Sequence, residues 1–346
     1  MSDDPAPRRR RTWSAFGDVR KLPGEYEVMT HETNWTLRPG RKSAFEQNPS
    51  SAANLWFLTY RENSPLTSDD WNAFRDPDQL TYRTYVAHQN DEETKVDGLF
   101  SQFAEIGADA AHTDGWVRVL GSLFTPARYP LHGAQQVQAY IGHIAPSSYI
   151  TNTAAFTTAD LLRRVTRTAY RTRELQLARP ESGIGTRERA LWEDDPAWQG
   201  TRKAIETALI AYDWAEAFTA MNLVLLPTLD DVLLTQFGRV AKANSDDLSW
   251  LLSGLLGADA RRRDRWSAAL GAFAVAARPG NVGVLTRWID KWAPRADDAV
   301  AGLASLLASA PAGAPSVDDV VASARAARAA LHEKAGIVPA GLAASG

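Results

Sequence analysis

The sequence predicts a mainly α fold, a helical bundle preceded by an irregular N-terminal arm. Three observations carry this. From Asp78 onward apolar residues recur at helical spacing through most of the chain. Strand-type alternation is weak throughout. The segment after Pro196 is apolar on two faces, with Ile205, Leu209, Tyr212 and Ala215 on one and Trp214, Phe218, Met221 and Leu225 on the other. A helix apolar on two faces belongs at the centre of a bundle.

Taken in order, residues 1–78 form the arm. Its first residues are polar and Arg-rich, and Pro23-Gly24, Pro39-Gly40 and Asn48-Pro49-Ser50-Ser51 are turn formers. Regular helix is scarce there, and the arm reads as an extended, interface-forming segment. Residues 79–295 form the main helical domain. Its helices are expected at 79–107, at 131–146 up to Pro146, at 155–178, and from Pro196 to Pro227, where proline should stop the helix. Further helices follow at 229–244, 246–257, 259–277 and 281–293. Residues 296–346 are an Ala-rich C-terminal extension. Ser316 with Asp318 and Asp319 in the first turn starts one helix there, ending near Gly336.

Composition removes several classes of function. There is no cysteine, which excludes disulfides, iron–sulfur clusters and thiol catalysis. A net charge of −3 argues against a nucleic-acid binder, so Arg8–Arg11 and Arg261–Arg265 are read as solvated or ion-paired. No apolar region follows Arg8–Arg11 and no run of about 18 apolar residues is evident, so neither a secretory signal nor a membrane span is expected, and the compartment is cytoplasmic. Ser147 and Ser148 lie near His143, but no G-x-S-x-G occurs. Gly183 and Gly185 lack the strand and the Lys-Ser/Thr of a phosphate loop and read as a turn. The twelve tryptophans serve either the core or a large interface.

The most informative motif is a repeat. Asp160-Leu161-Leu162-Arg163-Arg164 and Asp259-Ala260-Arg261-Arg262-Arg263 share the pattern D-x-x-R-R. Each looks like the D-E-x-R-H signature of diiron helix bundles with its Glu and its His removed. Such bundles place one Glu on each of two helices and a Glu-x-x-His pair on each of two more, and the i, i+3 spacing puts both ligands of a pair on one face. No E-x-x-H occurs in this chain; Asp109-Ala110-Ala111-His112 has the spacing but stands alone between helices.

Longer segments agree with this. They include R-R-R-T-W-S-A-F-G-D at 9–18, K-L-P-G-E-Y-E at 21–27, Y-R-E-N-S-P-L at 60–66, D-W-N-A-F-R-D-P-D at 70–78 and L-T-Y-R at 80–83. Others are A-P-S-S-Y-I-T-N at 145–152, R-R-V-T-R-T-A-Y-R-T-R at 163–173, E-R-A-L-W-E at 188–193 and Y-D-W-A-E-A-F at 212–218. On these the chain resembles the β subunits of the hydroxylase component of soluble bacterial multicomponent monooxygenases, on the toluene, phenol, alkene and isoprene branch. The likeness covers roughly residues 9–295.

The resemblance implies a ferritin-like, ribonucleotide-reductase-like bundle that has lost its diiron site. Carried onto this sequence, the lost ligand positions are Ala139 and Ala215 for the two single Glu residues, with Leu161 and Arg164, and Ala260 and Arg263, for the two pairs. Arg164 and Arg263 then need acidic partners, for which Glu216, Asp160 and Asp259 are the candidates. The chain itself is expected to hold no cofactor and no catalytic residue. The diiron centre would sit in a partner α subunit, with a γ subunit completing an (αβγ)2 hydroxylase. A regulatory protein, a Rieske-type ferredoxin and an NADH reductase would act on that complex, which hydroxylates or epoxidises hydrocarbons. The arm at 10–78 and the Trp-rich helices are the expected contacts with α, with Tyr60–Leu66 and Ala145–Asn152 the best candidates. Two other readings stay open here: a diiron oxygenase acting alone with unusual ligands, and a free-standing helical interaction protein.

Overall fold

The computed structural model of the chain describes residues 23–34 and 51–337; the expectations placed on residues 1–22, 35–50 and 338–346, including the Arg8–Arg11 run and the turns at Pro39-Gly40 and Asn48-Pro49-Ser50, lie outside them. Among the described residues there is no strand. Two short helices come first, α1 (Glu25–Thr30) and α2 (Ala52–Phe57), the latter running into a π-helical turn at Leu58–Glu62. Then come α3 (Tyr82–Glu105), α4 (Asp114–Val119) and α5 (Arg128–Ile144), the last two joined through a π turn at Leu120–Phe124 and a 3-10 turn at Thr125–Ala127. After α6 (Ser148–Ala178), α7 (Glu188–Asp194) and α8 (Pro196–Ala208), one continuous run carries α9 (Trp214–Phe218), α10 (Leu226–Asp230) and α11 (Phe237–Ala243). The chain ends in α12 (Asp247–Ala277), α13 (Asn281–Leu307) and α14 (Val317–Lys334).

The run Trp214–Ala243 is the axis of the bundle. By length and composition it could cross a membrane, yet its most apolar stretch is wholly buried inside this fold. Two boundaries here differ from expectation, each for a local reason. The helix from Pro196 stops at Ala208, because the Asp213 carboxylate accepts from the backbone N–H groups of Ala215 (2.9 Å) and Glu216 (3.0 Å) and so caps a new helix. Pro227 does not stop that helix. It follows the π segment Thr219–Leu225, where the hydrogen-bond register is already changing and a missing N–H costs little.

Further along, the expected helices 246–257 and 259–277 are one, of 31 residues. The helix expected at 281–293 runs through Pro294 to Leu307, because Ala296, Ala299, Val300, Leu303 and Leu307 are buried and hold it in register. The boundary at 295/296 therefore falls inside a helix, and the core of the bundle includes Val320, Ala324 and Leu331 of α14. Gly183 and Gly185 have φ of +75° and +86°, the left-handed turn geometry that glycine adopts freely.

Helices α8 and α13 approach each other backbone to backbone. A Cβ on Gly200 would stand 2.6 Å from the carbonyl oxygen of Asp298, and one on Gly302 would stand 2.1 Å from that of Ala197. Backbone thus approaches backbone with no room for a side chain.

The described part of the arm, from residue 51, packs on the chain's own bundle. Trp71 meets Trp214 edge-on at 5.1 Å, the Arg75 guanidinium lies 3.9 Å over the Tyr149 ring, and Asn281 exchanges hydrogen bonds with the Thr67 backbone. The segment is partly helical, in α2 and its π turn. Most of Ala145–Asn152 is likewise internal: Ser147 caps α6, and Ala145, Ser148, Tyr149 and Ile150 are fully buried, so this run shapes the α5–α6 turn.

Candidate functional site: a buried ionic network between α6 and α12

The two D-x-x-R-R repeats lie on α6 and α12, and the fold sets them face to face. Each helix's Asp pairs with the other helix's Arg: Arg262 Nη2 donates to Asp160 at 2.6 Å, and Arg163 Nη1 donates to Asp259 at 2.6 Å. Helix α3 covers this quartet. Gln89 Nε2 donates to both Asp160 (2.7 Å) and Asp259 (3.0 Å), the Tyr85 hydroxyl donates to Asp160 (2.7 Å), and Glu93 accepts from Arg163 and Arg167. One layer further in, Arg164 and Arg263 converge on a single carboxylate, Asp230, each guanidinium taking one of its oxygens. Arg263 also binds Asp264 at 2.6 Å. Every member of the triad is buried.

Electrostatics follow from this geometry. Burial alone would raise the Asp230 pKa, but Arg164 and Arg263 outweigh it and hold the carboxyl below the ordinary Asp value. Burial, reinforced by the charge of Asp259 and opposed by Arg262, pushes Asp160 up to about 6. Burial would also raise Asp109 and Glu93, but His112 with Arg171, and Arg167 with Arg163, hold them low. These shifts set a pH dependence. The lowered carboxylates bind fewer protons folded than unfolded, so the stability they contribute is present above the ordinary carboxylate range and lost as pH falls through it. Asp160 acts oppositely: its contribution is complete below the unfolded value and declines as pH rises through about 6. A melting-temperature profile should therefore fall steeply on the acid side, and Asp160→Asn should lessen any decline between about pH 4 and 6. A profile flat down to pH 3 would contradict this assignment.

Of the six expected ligand positions, four come together. Leu161, Arg164, Ala260 and Arg263 line one internal cavity of about 20 Å3 together with Asp230. That is space for about one water molecule. Ala139 is not among them: it lies on the exposed side of α5. The α5 residue that shares a cavity wall with Arg164 is Leu131. Ala215 is buried, but it lies fifteen residues from Asp230 along the axial run, roughly 22 Å at 1.5 Å per residue. The residue of the axial run that lines the cavity is Asp230, not Ala215. Glu216 does not serve the arginines either; it binds Lys291 (2.5 Å) and Trp292 Nε1 (3.1 Å) on α13. Asp160 and Asp259 do bind arginine, but Arg262 and Arg163 rather than Arg164 and Arg263. The sequence carried a signal for Asp230 that was missed. Asp230-Asp231 interrupts the apolar run 217–234, and an acid on a wholly buried helix requires a cation.

A metal does not fit this donor set. Leu161, Arg164, Ala260 and Arg263 offer alkyl groups and guanidinium cations, which repel a metal ion, and the carboxylates that line the same cavity, Asp160, Asp230 and Asp259, are each paired with arginine. Among the described residues no group of three or more His, Cys, Asp or Glu side chains is placed to hold a metal. Asp109 and His112 form part of a second ionic cluster. Asp109 pairs with both terminal nitrogens of Arg171, while His112 Nε2 lies 3.5 Å from Asp109 and 3.8 Å from Asp246. Asp246 is itself the cap of α12 and accepts from Trp116 at 2.9 Å. Ser147 is occupied at the cap of α6 and His143 packs on Phe57, so no hydrolytic arrangement forms.

Fold and site together define a ferritin-like helical protein whose interior is tied by buried ion pairs. The methane/phenol/alkene hydroxylase family model matches residues 56–278, and the chain belongs to that family, in the line of hydroxylase β subunits. It is 42% identical over 299 residues to the β subunit of the hydroxylase component of the toluene-4-monooxygenase system of Ectopseudomonas mendocina, covering 86% of this chain and 91% of that one. The structure of toluene 4-monooxygenase with toluene bound in its resting active site contains a chain that superposes with a TM-score of 0.81 at 40% identity, over 88% of this chain and 99% of that one. Xenon-pressurised phenol hydroxylase from Pseudomonas sp. OX1 shares the fold, with a TM-score of 0.78 at 21% identity over 97% and 98%.

Proposed function

We propose that this chain is the structural β subunit of an (αβγ)2 hydroxylase in the cytoplasm, and that it contributes a rigid surface rather than chemistry. The observation that supports this is the Arg164–Asp230–Arg263 triad, in which two guanidiniums converge on one buried carboxylate and leave a donor set unsuited to a metal ion. Iron and oxygen chemistry then belong to α, with electrons passing from NADH through a reductase and a Rieske-type ferredoxin and a regulatory protein acting on the assembled complex. Likeness to a toluene-oxidising system favours an aromatic or alkene substrate.

A patch around Trp56 is the best surface for α. Trp56 meets Tyr60 at 4.5 Å and Tyr212 at 4.9 Å, its Nε1 donates to the Tyr140 hydroxyl at 2.8 Å, and Leu55, Leu58 and Ile210 stand exposed beside it. Aromatic clusters rimmed by apolar groups are typical of interface hot spots. Trp56→Ser should weaken capture of α by about 2 kcal/mol or more, measured by binding of the purified subunits. Unchanged binding would remove this patch from the interface.

The function itself is tested by co-expression with α and γ. The reading expects all three chains to co-elute, and hydrocarbon oxidation to disappear when this chain is omitted. Full activity from α and γ without it would refute the proposal.

A further inference from the structure

We propose that the groove between α11 and α12 is a second docking site of this chain, which seats a helix of an exchanging protein component through a basic side chain. The groove has a volume of about 390 Å3 and follows α12 from Trp250 to Asp264, roughly 21 Å at 1.5 Å per residue, with Asp231, Thr235 and Arg239 on its other wall. Asp231 gives the site its chemistry. It is 9% exposed, and the hydrogen bond its carboxylate accepts comes from Gln236 Nε2 at 2.5 Å. Among the described residues no cation pairs with it, whereas the adjacent Asp230 holds two arginines. A carboxylate this buried calls for a positive partner, and the groove is the side from which one can arrive. Arg239 and Arg261 stand exposed along the same groove, also without an acidic partner among the described residues.

The floor is cleared for a close approach. Gly254 lies in the interior of α12, where glycine is unfavourable relative to alanine, yet nothing in the chain stands within 4 Å of the Cβ it lacks. Packing within this fold does not need that glycine; a backbone laid against it from outside does. Trp250 at the end of the groove is 36% exposed, with Lys242 Nζ 3.7 Å over its ring, and offers the kind of aromatic surface that anchors interfaces. Both walls are helices and present no strand edge, so a helix is the shape that fits. The charges set its pattern. A Lys or Arg seats on Asp231, and an acid seven or eight residues away meets Arg239, which stands two turns, roughly 12 Å, along the axial run.

This site is separate from the surface given to α. It begins roughly 25 Å along the axial run from Trp214, beside which Tyr212 belongs to the Trp56 patch. Its charged lining suits a component that binds and leaves, since permanent interfaces are more apolar. The inference rests on the reading of the chain as one subunit of a multicomponent oxygenase.

The chain has no cysteine, so Thr235→Cys gives a single attachment point at the groove for an environment-sensitive fluorophore. The labelled full chain is titrated in turn with purified α, γ, regulatory protein, ferredoxin, reductase and unlabelled parent chain. The expected result is a saturable response to one of the regulatory protein, ferredoxin and reductase, weakened about tenfold or more by Asp231→Asn and by Gly254→Leu. Both variants are mild for the fold: the first keeps an oxygen for Gln236, and the second enters open space. No response from those three components, a response only from α, γ or a second copy, or a response that either variant leaves unchanged overturns the proposal. Co-elution of the parent chain with α separates the two readings. Its absence refutes the subunit assignment, whereas co-elution with a silent groove refutes this inference alone.

Discussion

Replacing Asp230 with alanine should lower the stability of the chain by about 3–5 kcal/mol, the cost typical of breaking a buried ion pair from one side. Arg164 and Arg263 are only 7% and 3% exposed, so neither can reach water when their shared carboxylate is removed. Arg263 keeps Asp264, whereas Arg164 loses the one acid it is bonded to and should carry the larger part of the loss. The measurement is urea denaturation followed by circular dichroism, in which the midpoint falls while the slope stays constant. A loss under about 1 kcal/mol would mean that the two guanidiniums are satisfied by something other than Asp230. In an assembled hydroxylase the same variant should reduce the yield of complex, with activity per remaining complex unchanged, because the triad touches no reacting atom.

Gly302→Ala should destabilise the chain by about 3 kcal/mol, at the upper end of overpacking effects. The added methyl carbon would lie 2.1 Å from the Ala197 carbonyl oxygen, and both sides of that contact are backbone, so no rotamer change relieves it; α8 and α13 must separate. Gly254→Ala provides the contrast. Nothing lies within 4 Å of its added Cβ, and in a helix interior the change should be neutral or stabilising by up to about 1 kcal/mol. Thermal melts of the two variants side by side check both. Equal effects would show that helix propensity, rather than the close approach of α8 and α13, governs these positions.

Much of the helical character was legible because it rests on local periodicity. Ser316 capping α14 and the Gly183–Gly185 turn needed only nearby residues to be read. The misread boundaries depended on something distant or on a change of register. Pro227 reads as a stop and the helix from 281 as ending at 293, but π-helical geometry absorbs the proline in the first case and burial of the following turns carries the helix on in the second. At the site, Leu161, Arg164, Ala260 and Arg263 of the paired D-x-x-R-R motif line one cavity, since an i, i+3 repeat fixes which face its members share. The single positions had no such spacing. Ala139 and Ala215 were placed by resemblance alone, and helical phase puts Ala139 on the outside of α5 and Ala215 too far along the axial run. Glu216 was chosen as a partner for its charge, yet its place near the start of the axial run directs it to Lys291 and Trp292. Asp230 was visible as an acid in an apolar helix, but that it bridges two arginines depends on three helices meeting, which one-dimensional spacing does not encode.

The most direct test of the account is iron analysis and oxygenase assay of this chain purified alone, beside the complex it forms with α and γ. The account predicts no stoichiometric iron and no hydrocarbon oxidation for the chain alone, with both present in the complex. Iron bound stoichiometrically to the isolated chain, or turnover by that chain with only the electron-transfer proteins added, would contradict it.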